Sequence, residues 1–152
     1  MSRHQISVPA DFGIGDLARI AGTGVQTIRY YETQGLMRAP SRSQGNQRRY
    51  TRNDLDRLKF IRHARELGFT LENVGSLLKL AAHPEKPCKE ADAIATAHLQ
   101  DVDRKIKRLK SLKRALTVMV ANCQQGNIHG CRIIETLANH ELCPINHGAP
   151  ES

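Results

Sequence analysis

The sequence lacks a long apolar run, and that absence excludes several classes of protein. No stretch of its 152 residues approaches the roughly 20 apolar residues that a helix needs to cross a bilayer. The first residues, Met-Ser-Arg-His-Gln, lead into polar sequence and form no apolar signal-peptide core. We therefore expect a protein that stays in the cytoplasm and has no membrane partner.

The sequence also lacks a Cys-x-x-Cys pair, although it contains four cysteines. A reducing cytosol disfavours disulfides, so these cysteines indicate a metal-binding or redox role. A thiol oxidoreductase would need such a pair on a strand-rich scaffold, and no nucleophile–base arrangement is recognisable here. We therefore expect no enzymatic activity, no catalytic residue and no organic cofactor.

Acidic residues are scarce relative to basic ones, with 15 Asp and Glu against 23 Lys and Arg and a formal net charge of +8. The excess is concentrated in residues 1–80, which hold 13 basic and 7 acidic side chains. A basic half of this kind indicates a polyanionic partner, although a well-solvated basic surface explains the same charge. The local sequence pattern has to decide between the two.

Two short helices separated by glycines are predicted near the start of the chain. Apolar residues in 14–21 follow helical spacing, Gly22-Thr23-Gly24 forms a turn, and a second helix runs over about 25–34 before Gly35. This order is typical of a helix-turn-helix unit. Its second helix would enter the DNA major groove, where base edges are readable.

A basic hairpin and two further helices follow. The turn signal Gly45-Asn46 lies between basic flanks and predicts a short two-stranded wing, with side chains available to phosphates at Arg42, Arg48, Arg49 and Tyr50. Thr51 and Asp54 form a capping box that opens a helix ending near Gly68. Thr70 caps the next helix. The fold class is therefore mainly α, with a winged helix-turn-helix domain over residues 12–82.

A long helix is predicted over residues 88–123, where good helix formers follow each other without Pro or Gly from Glu90 onward. Its apolar residues alternate in steps of four and three and include Lys113 as one polar member: Ala95, Leu99, Val102, Ile106, Leu109, Lys113, Leu116 and Val120. This spacing is typical of a coiled-coil seam. A single helix cannot bury such a seam alone, so we expect a homodimer.

Several motifs in the first half resemble the DNA-binding half of the MerR family of transcription regulators. They are Thr27-Ile-Arg-Tyr-Tyr-Glu32, Gly35-Leu36, Gly45-Asn46, Arg49-Tyr50 and Arg57-Leu-Lys-Phe-Ile-Arg-His-Ala-Arg-Glu-Leu-Gly-Phe-Thr-Leu-Glu72. The resemblance runs without gaps from about residue 12 to residue 80. It implies DNA contacts by Thr27, Arg29, Tyr30, Arg48, Arg49 and Tyr50. It also implies that the long helices of two chains pair antiparallel and that the two-fold dimer binds a pseudo-palindromic promoter.

Cys88 precedes the long helix and Cys123 follows it, so about 50 Å of helix would separate the two thiols in one chain. In an antiparallel dimer, Cys88 would instead approach Cys123 and Cys131 of the partner subunit. The seven residues between Cys123 and Cys131 include two glycines and can bring both thiols to one ion. Three thiolates suit a soft divalent ion, whereas the alternative is that these cysteines are small buried hydrophobes.

The arrangement of Cys88, Cys123 and Cys131 resembles the metal-sensing branch of the same family, with zinc-, cadmium-, lead- and mercury-responsive members. In that branch a Cys before the dimerisation helix accompanies divalent sensors, and a Ser accompanies copper sensors. Cys88 therefore points to Zn, Cd, Hg or Pb. The seven-residue spacing is instead the length found in the copper group, so a copper(I)- or silver-responsive regulator stays open.

Three further side chains are candidate accessory metal ligands. His129 lies in the loop, Cys143 lies in the tail, and His98 on the long helix matches an accessory ligand of some cadmium sensors. Each has a plain alternative as a solvated loop, tail or helix residue. We expect residues 123–137 to form the metal-binding loop and a short helix, and residues 138–152 to form a flexible tail.

The resemblance implies a regulator that activates transcription. The dimer would bind a promoter whose recognition elements are wrongly spaced for RNA polymerase holoenzyme, and metal binding would distort the DNA to align them. A redox or iron–sulfur sensor is the first alternative, but such members carry four closely spaced cysteines after the helix. A multidrug sensor would need a ligand domain of 100 or more residues, whereas fewer than 30 follow Cys123.

Overall fold

The structure, a computed structural model, describes residues 11–123 and 126–143 of the chain. The chain divides between Ile94 and Ala95 into two compact units. The first unit holds β1 (Asp11–Phe12), α1 (Ile14–Ala21), α2 (Val25–Thr33), β2 (Ser41–Arg42), β3 (Arg48–Thr51), α3 (Arg52–Glu66) and α4 (Leu71–Ala81). The long helix α5 (Lys89–Ala121) begins in the first unit and continues into the second.

The two helices of the predicted helix-turn-helix are confirmed, and the turn between them depends on Gly22. Gly22 adopts a φ of 63°, in the left-handed region that favours glycine. Its backbone N–H caps α1 by donating to Arg19, and the next amide, that of Thr23, donates to Ala18. The turn therefore ends α1 and redirects the chain into α2.

The predicted capping residues of α3 and α4 are confirmed. The Thr51 hydroxyl accepts a hydrogen bond from the Asp54 amide at 3.3 Å, and the Asp54 carboxylate accepts one from the Thr51 amide at 2.7 Å. This reciprocal pair is the capping box that opens α3. The Thr70 hydroxyl accepts from the Asn73 amide at 3.1 Å and opens α4 in the same way.

The wing has three strands where the sequence predicted two. β3 is the central strand, and it pairs antiparallel with β1 on one side and with β2 on the other. The additional strand β1 aligns Phe12 with Tyr50, and both side chains are buried. Because β1 is only two residues long, the sequence offers no periodicity that would predict it.

The first unit is held by one apolar core to which all four short helices contribute. Its most deeply buried side chains come from the wing and α1 to α4: Phe12, Leu17, Ile28, Tyr50, Leu55, Leu58, Ile61 and Val74. The two helices of the helix-turn-helix, α1 and α2, are thereby fixed against α3, α4 and the sheet. The positions of side chains on the outer surface of α2 depend on this core.

The second unit contains the rest of α5, the helix α6 (Arg132–Ala138) and 3₁₀ helices at Ile128–Gly130 and His140–Leu142. The predicted long helix and the predicted short helix after Cys131 are therefore both present. The 3₁₀ helix at His140–Leu142 lies in the segment predicted to be a flexible tail, and residues 144–152 of that tail lie outside the described residues. Among the helices that are described, none combines the length and apolarity needed to span a membrane.

The close packing of Gly22 against Arg62 yields a test of the turn. A Cβ at Gly22 would collide with the Arg62 guanidinium, which donates a hydrogen bond to the carbonyl of Ala21 at 2.7 Å. We expect Gly22→Ala to lower the free energy of unfolding by about 2–4 kcal/mol, through left-handed strain and the weakened hydrogen bond. Urea denaturation measures this value.

The matched control is Gly35→Ala. Gly35 has a similar φ of 71°, but a Cβ there would meet no atom within 4 Å. It should therefore cost only the backbone strain, about 1–2 kcal/mol. Equal losses for the two variants would show that Arg62 does not contribute to the turn.

Candidate nucleic-acid interface and metal ligands

The predicted recognition helix α2 presents polar side chains to solvent and apolar ones to the core. Ile28 and Tyr31 are buried, whereas the three side chains predicted to contact DNA are exposed: Thr27, Arg29 and Tyr30. The ring of Tyr30 is tilted against that of Tyr31 with centroids 6.0 Å apart. The surface of α2 therefore offers a hydroxyl, a guanidinium and a phenol, which are groups that contact bases and phosphates.

The tip of the wing is a tight turn held by its own side chains. The Arg42 guanidinium donates to the carbonyl of Asn46 at 3.3 Å and to its side-chain oxygen at 3.1 Å. Asn46 adopts a left-handed φ of 61°, which asparagine tolerates better than most residues. Arg42 and Arg49 are both exposed, so the wing carries two accessible positive charges.

Tyr50 differs from its predicted role as a phosphate contact. Its side chain is 0 % exposed and lies in the core beside β1. Its hydroxyl donates a hydrogen bond to Oε1 of Glu32. Burial raises the pKa of the Tyr50 phenol well above its ordinary value, and the Glu32 carboxylate adds to the shift. Tyr50 is therefore a protonated core residue, and its side chain is inaccessible to a phosphate.

Arg48 is partly exposed and has an acidic neighbour within the chain. Its guanidinium donates to Oε2 of Glu32 at 3.3 Å and forms an ion pair with it. Glu32 was part of a recognised motif, but the sequence did not predict any role for its side chain. Glu32 is the one acidic residue of α2, and an acidic residue on a helix expected to contact DNA is the signal that would have identified it.

Two other arginines of the basic half serve the fold. Arg57 donates from Nε to the carbonyl of Leu36, and burial lowers its pKa. Arg62 donates to the carbonyl of Ala21 and pairs with Glu66 at 2.7 Å. Arg62 thereby satisfies the carbonyl of the last residue of α1, and Arg57 satisfies a carbonyl in the segment that follows α2. The formal charge therefore overstates the number of cations available to a polyanion.

The predicted seam of α5 is exposed to solvent in the single chain. Of its six large apolar residues, Val102 is half-buried, and the other five retain between 44 and 67 % of their accessible surface: Leu99, Ile106, Leu109, Leu116 and Val120. Such a row of large side chains at seam spacing is too extensive for an ordinary helix face in water.

The three cysteines predicted to bind metal lie at the ends of helices. Cys88 is exposed directly before α5, Cys123 is half-buried after its last turn, and Cys131 is half-buried at the start of α6. None of the three forms a disulfide. Within the described residues of one chain, no group of three His, Cys, Asp or Glu side chains is close enough to hold a metal ion.

The candidate accessory ligands lie at separate places. His129 is exposed in the 3₁₀ helix before Cys131, His98 is half-buried on α5, and Cys143 is half-buried after the 3₁₀ helix at His140–Leu142. Of these, His129 is nearest in sequence to a predicted thiol ligand. Its imidazole nitrogens are suitable donors for the borderline-soft ions that thiolates also bind.

Comparison with known proteins gives the same assignment over both units. A family profile described as MerR HTH family regulatory protein matches residues 12–80, and one described as MerR, DNA binding matches residues 55–119. The HTH-type transcriptional regulator ZntR of Escherichia coli (strain K12) is 43 % identical over 130 residues, which are 83 % of this chain and 92 % of ZntR.

Two further relatives are named for the metals they are associated with. The mercuric resistance operon regulatory protein of Bacillus cereus is 39 % identical over 83 % of this chain and 96 % of its own length. The crystal structure of the transcription regulator PbrR691 from Ralstonia metallidurans CH34 in complex with lead(II) is 39 % identical. It superimposes with a TM-score of 0.74 and covers 83 % of this chain and 98 % of that one. The chain belongs to the MerR family of helix-turn-helix regulatory proteins.

Proposed function

We propose that the chain is a DNA-binding transcription regulator, not an enzyme, and that it works in the cytoplasm as a homodimer. The observation that carries this proposal is the exposed row of Thr27, Arg29 and Tyr30 on α2, with Arg42 and Arg49 on the adjacent wing. A helix of this kind reads base edges, and exposed wing arginines neutralise phosphates. Arg48 and Tyr50 are bound to Glu32 and thereby connect the wing to α2.

The dimer is supported by the exposed seam of α5. Two such helices that pack against each other would remove the five exposed apolar side chains of the seam from water. Each fully buried Leu or Ile contributes about 1.5–3 kcal/mol relative to an exposed one. Antiparallel pairing, which the family resemblance implies, would place the start of each α5 beside the end of the other. A two-fold dimer would then present two copies of α2 to a pseudo-palindromic promoter.

The effector in this proposal is a soft metal ion, held by Cys88 of one subunit with Cys123 and Cys131 of the partner subunit. Thiolates are the donors that Zn(II), Cd(II), Hg(II), Pb(II) and Cu(I) prefer. One chain does not gather three ligands in its described residues, so a site shared by two chains fits the donor set best. The relatives associated with mercury and lead support a divalent ion.

The bound ion would link thiolates of two chains and stabilise one shape of the dimer. We propose that this shape distorts the promoter so that RNA polymerase holoenzyme can engage both recognition elements. The seven-residue spacing between Cys123 and Cys131 favours one second candidate, a copper(I)- or silver-responsive regulator. A competition titration with Zn(II), Cd(II), Hg(II), Pb(II) and Cu(I) distinguishes the two.

DNA affinity should fall steeply with salt, because the wing arginines release counterions from phosphates. We expect Arg49→Ala to weaken binding to every duplex and to reduce the slope of log K against log salt by about 0.9. Arg29→Ala should also change the preferred bases, since Arg29 lies on α2. Fluorescence anisotropy on a duplex that the wild-type protein selects from a random-sequence pool measures both effects.

Lys107→Ala is the matched control for the Arg49 variant. It removes one exposed positive charge from α5, outside the proposed surface. It should leave the slope and the base preference unchanged. If Arg49→Ala and Lys107→Ala behave alike, the wing does not contact phosphates.

The seam of α5 can be tested with a single buried charge. Ile106→Asp should produce monomers, because an unpaired carboxylate in an apolar interface loses its hydration without a partner. Lys107→Asp, at the neighbouring exposed position, should leave the dimer intact. Light scattering measures the mass in solution, and a dimer that survives Ile106→Asp would place the interface elsewhere.

The shared metal site can be tested by mixing two defective chains. One chain carries Cys88→Ser and the other carries Cys123→Ser with Cys131→Ser. Neither homodimer has a complete site, but each heterodimer keeps one, because both losses fall in the same composite site. We expect Cd(II) to bind the heterodimer at half the wild-type stoichiometry, measured by thiolate-to-metal absorption.

Each single Cys→Ser change should also abolish metal-stimulated transcription in vitro while DNA affinity stays nearly constant. A heterodimer that binds no Cd(II) would show that the three thiols do not form one site across two chains. Half-stoichiometric binding by either homodimer would lead to the same conclusion.

A further inference from the structure

Glu32 connects the recognition helix to the wing through both of its carboxylate oxygens. Oε1 accepts the hydroxyl of Tyr50, and Oε2 accepts the Arg48 guanidinium at 3.3 Å. The Glu32 side chain is 13 % exposed and that of Arg48 36 %, so the pair is partly withdrawn from water. In the described part of the chain, the side-chain hydrogen bonds between α2 and β3 both end on Glu32.

The two elements joined by Glu32 carry different parts of the proposed DNA surface. α2 carries the exposed side chains that face base edges, and β3 with β2 carries Arg49 and Arg42 for the phosphates. Both sets of contacts can form together only if the helix and the wing keep a fixed angle. The apolar core sets the approximate arrangement, and a charged hydrogen-bonded contact adds a defined geometry.

The ion pair also determines what Arg48 can do. While its guanidinium is bound to Glu32, its charge is partly neutralised inside the protein. If Glu32 were neutral, Arg48 would become an additional mobile cation beside the wing. Such a cation strengthens attraction to any phosphate backbone and adds nothing to base reading.

We propose that Glu32 is a positioning residue for DNA recognition. It fixes the angle between α2 and the wing, and it keeps Arg48 from the phosphates. Base contacts, and not attraction to phosphates, then determine which duplex is bound. This inference rests on the proposed binding of the chain to DNA. Its test compares specific with non-specific binding, because a residue that only stabilises the fold would affect both alike.

The first variant is Glu32→Gln in the full chain. Glutamine keeps the volume and an oxygen that accepts the Tyr50 hydroxyl, but it removes the charge that holds Arg48. The probes are the duplex selected by the wild-type protein and poly(dI-dC). We expect the ratio of the two affinities to fall about tenfold, comparable to one misread base pair. The salt slope on poly(dI-dC) should become steeper by about 0.9, because Arg48 gains a phosphate contact.

Glu66→Gln is the matched control, since it makes the same chemical change and breaks the exposed ion pair with Arg62. Its affinity ratio and slope should stay at the wild-type values. A similar change in both variants would mean that net charge alone is responsible. Equal losses on both probes for Glu32→Gln would mean that Glu32 acts only on the fold.

Arg48→Gln provides a second test of the proposal, which does not depend on whether Glu32→Gln folds. It leaves the buried Tyr50 hydroxyl bound to Glu32. We expect the affinity ratio to fall while the salt slope stays at the wild-type value, because Arg48 is not a phosphate contact. A slope reduced by about 0.9 would overturn the proposal.

The double variant Glu32→Gln/Arg48→Gln shows whether Glu32 acts through Arg48. Its slope should return to the wild-type value, and a slope that stays steep would contradict the mechanism. Failure of the proposed function has a different outcome. In that case the wild-type protein selects no duplex from the random pool, whereas failure of this inference leaves wild-type selection intact.

Discussion

A long helix with apolar side chains along one side cannot remove them from water by itself, and this constraint governs the second half of the molecule. In α5 five seam side chains stay largely exposed in a single chain: Leu99, Ile106, Leu109, Leu116 and Val120. Near 25 cal/mol per Å² of apolar surface, their exposure is a substantial driving force for association. The proposed dimer follows from burying this one surface, and the two-fold DNA site and the shared metal site depend in addition on the antiparallel pairing that the family resemblance implies.

A different constraint governs the DNA-binding half, where short helices are held by a small core and a few charged contacts. The core places α2 so that Ile28 and Tyr31 are inside and Arg29 is outside. Arginines also hold turns in place, as Arg62 does by donating a hydrogen bond to the carbonyl of Ala21 at the end of α1. A basic residue can therefore either stabilise the fold or stay available to DNA, and its partners in the structure show which of the two it does.

The sequence predicted the elements that depend on local chemistry. Neighbouring residues determine the caps at Thr51 and Thr70, the glycine turn at Gly22 and the helical spacing of α5. The sequence missed β1 because a two-residue strand exists only through its pairing with β3. It assigned Tyr50 to DNA because an aromatic residue after two arginines resembles a contact. Its burial comes from β1 and from Glu32, eighteen residues earlier in the chain.

The same distinction between local and distant chemistry applies to the metal-sensing hypothesis. Thiols indicate a soft ion by residue type alone, whereas the proposed assembly of Cys88 with Cys123 and Cys131 of a second chain is encoded by no local pattern. The response to the ion requires more still. Bending or untwisting a promoter costs several kcal/mol, and an effector shifts an equilibrium only by its difference in affinity for the two states. In the proposed dimer, ligands supplied by both subunits would provide such a difference, because a shape that separates Cys88 from Cys123 and Cys131 of the partner subunit would lose ligands. A site whose ligands kept the same relative positions in both shapes would bind the ion equally well in both and would leave the promoter unchanged.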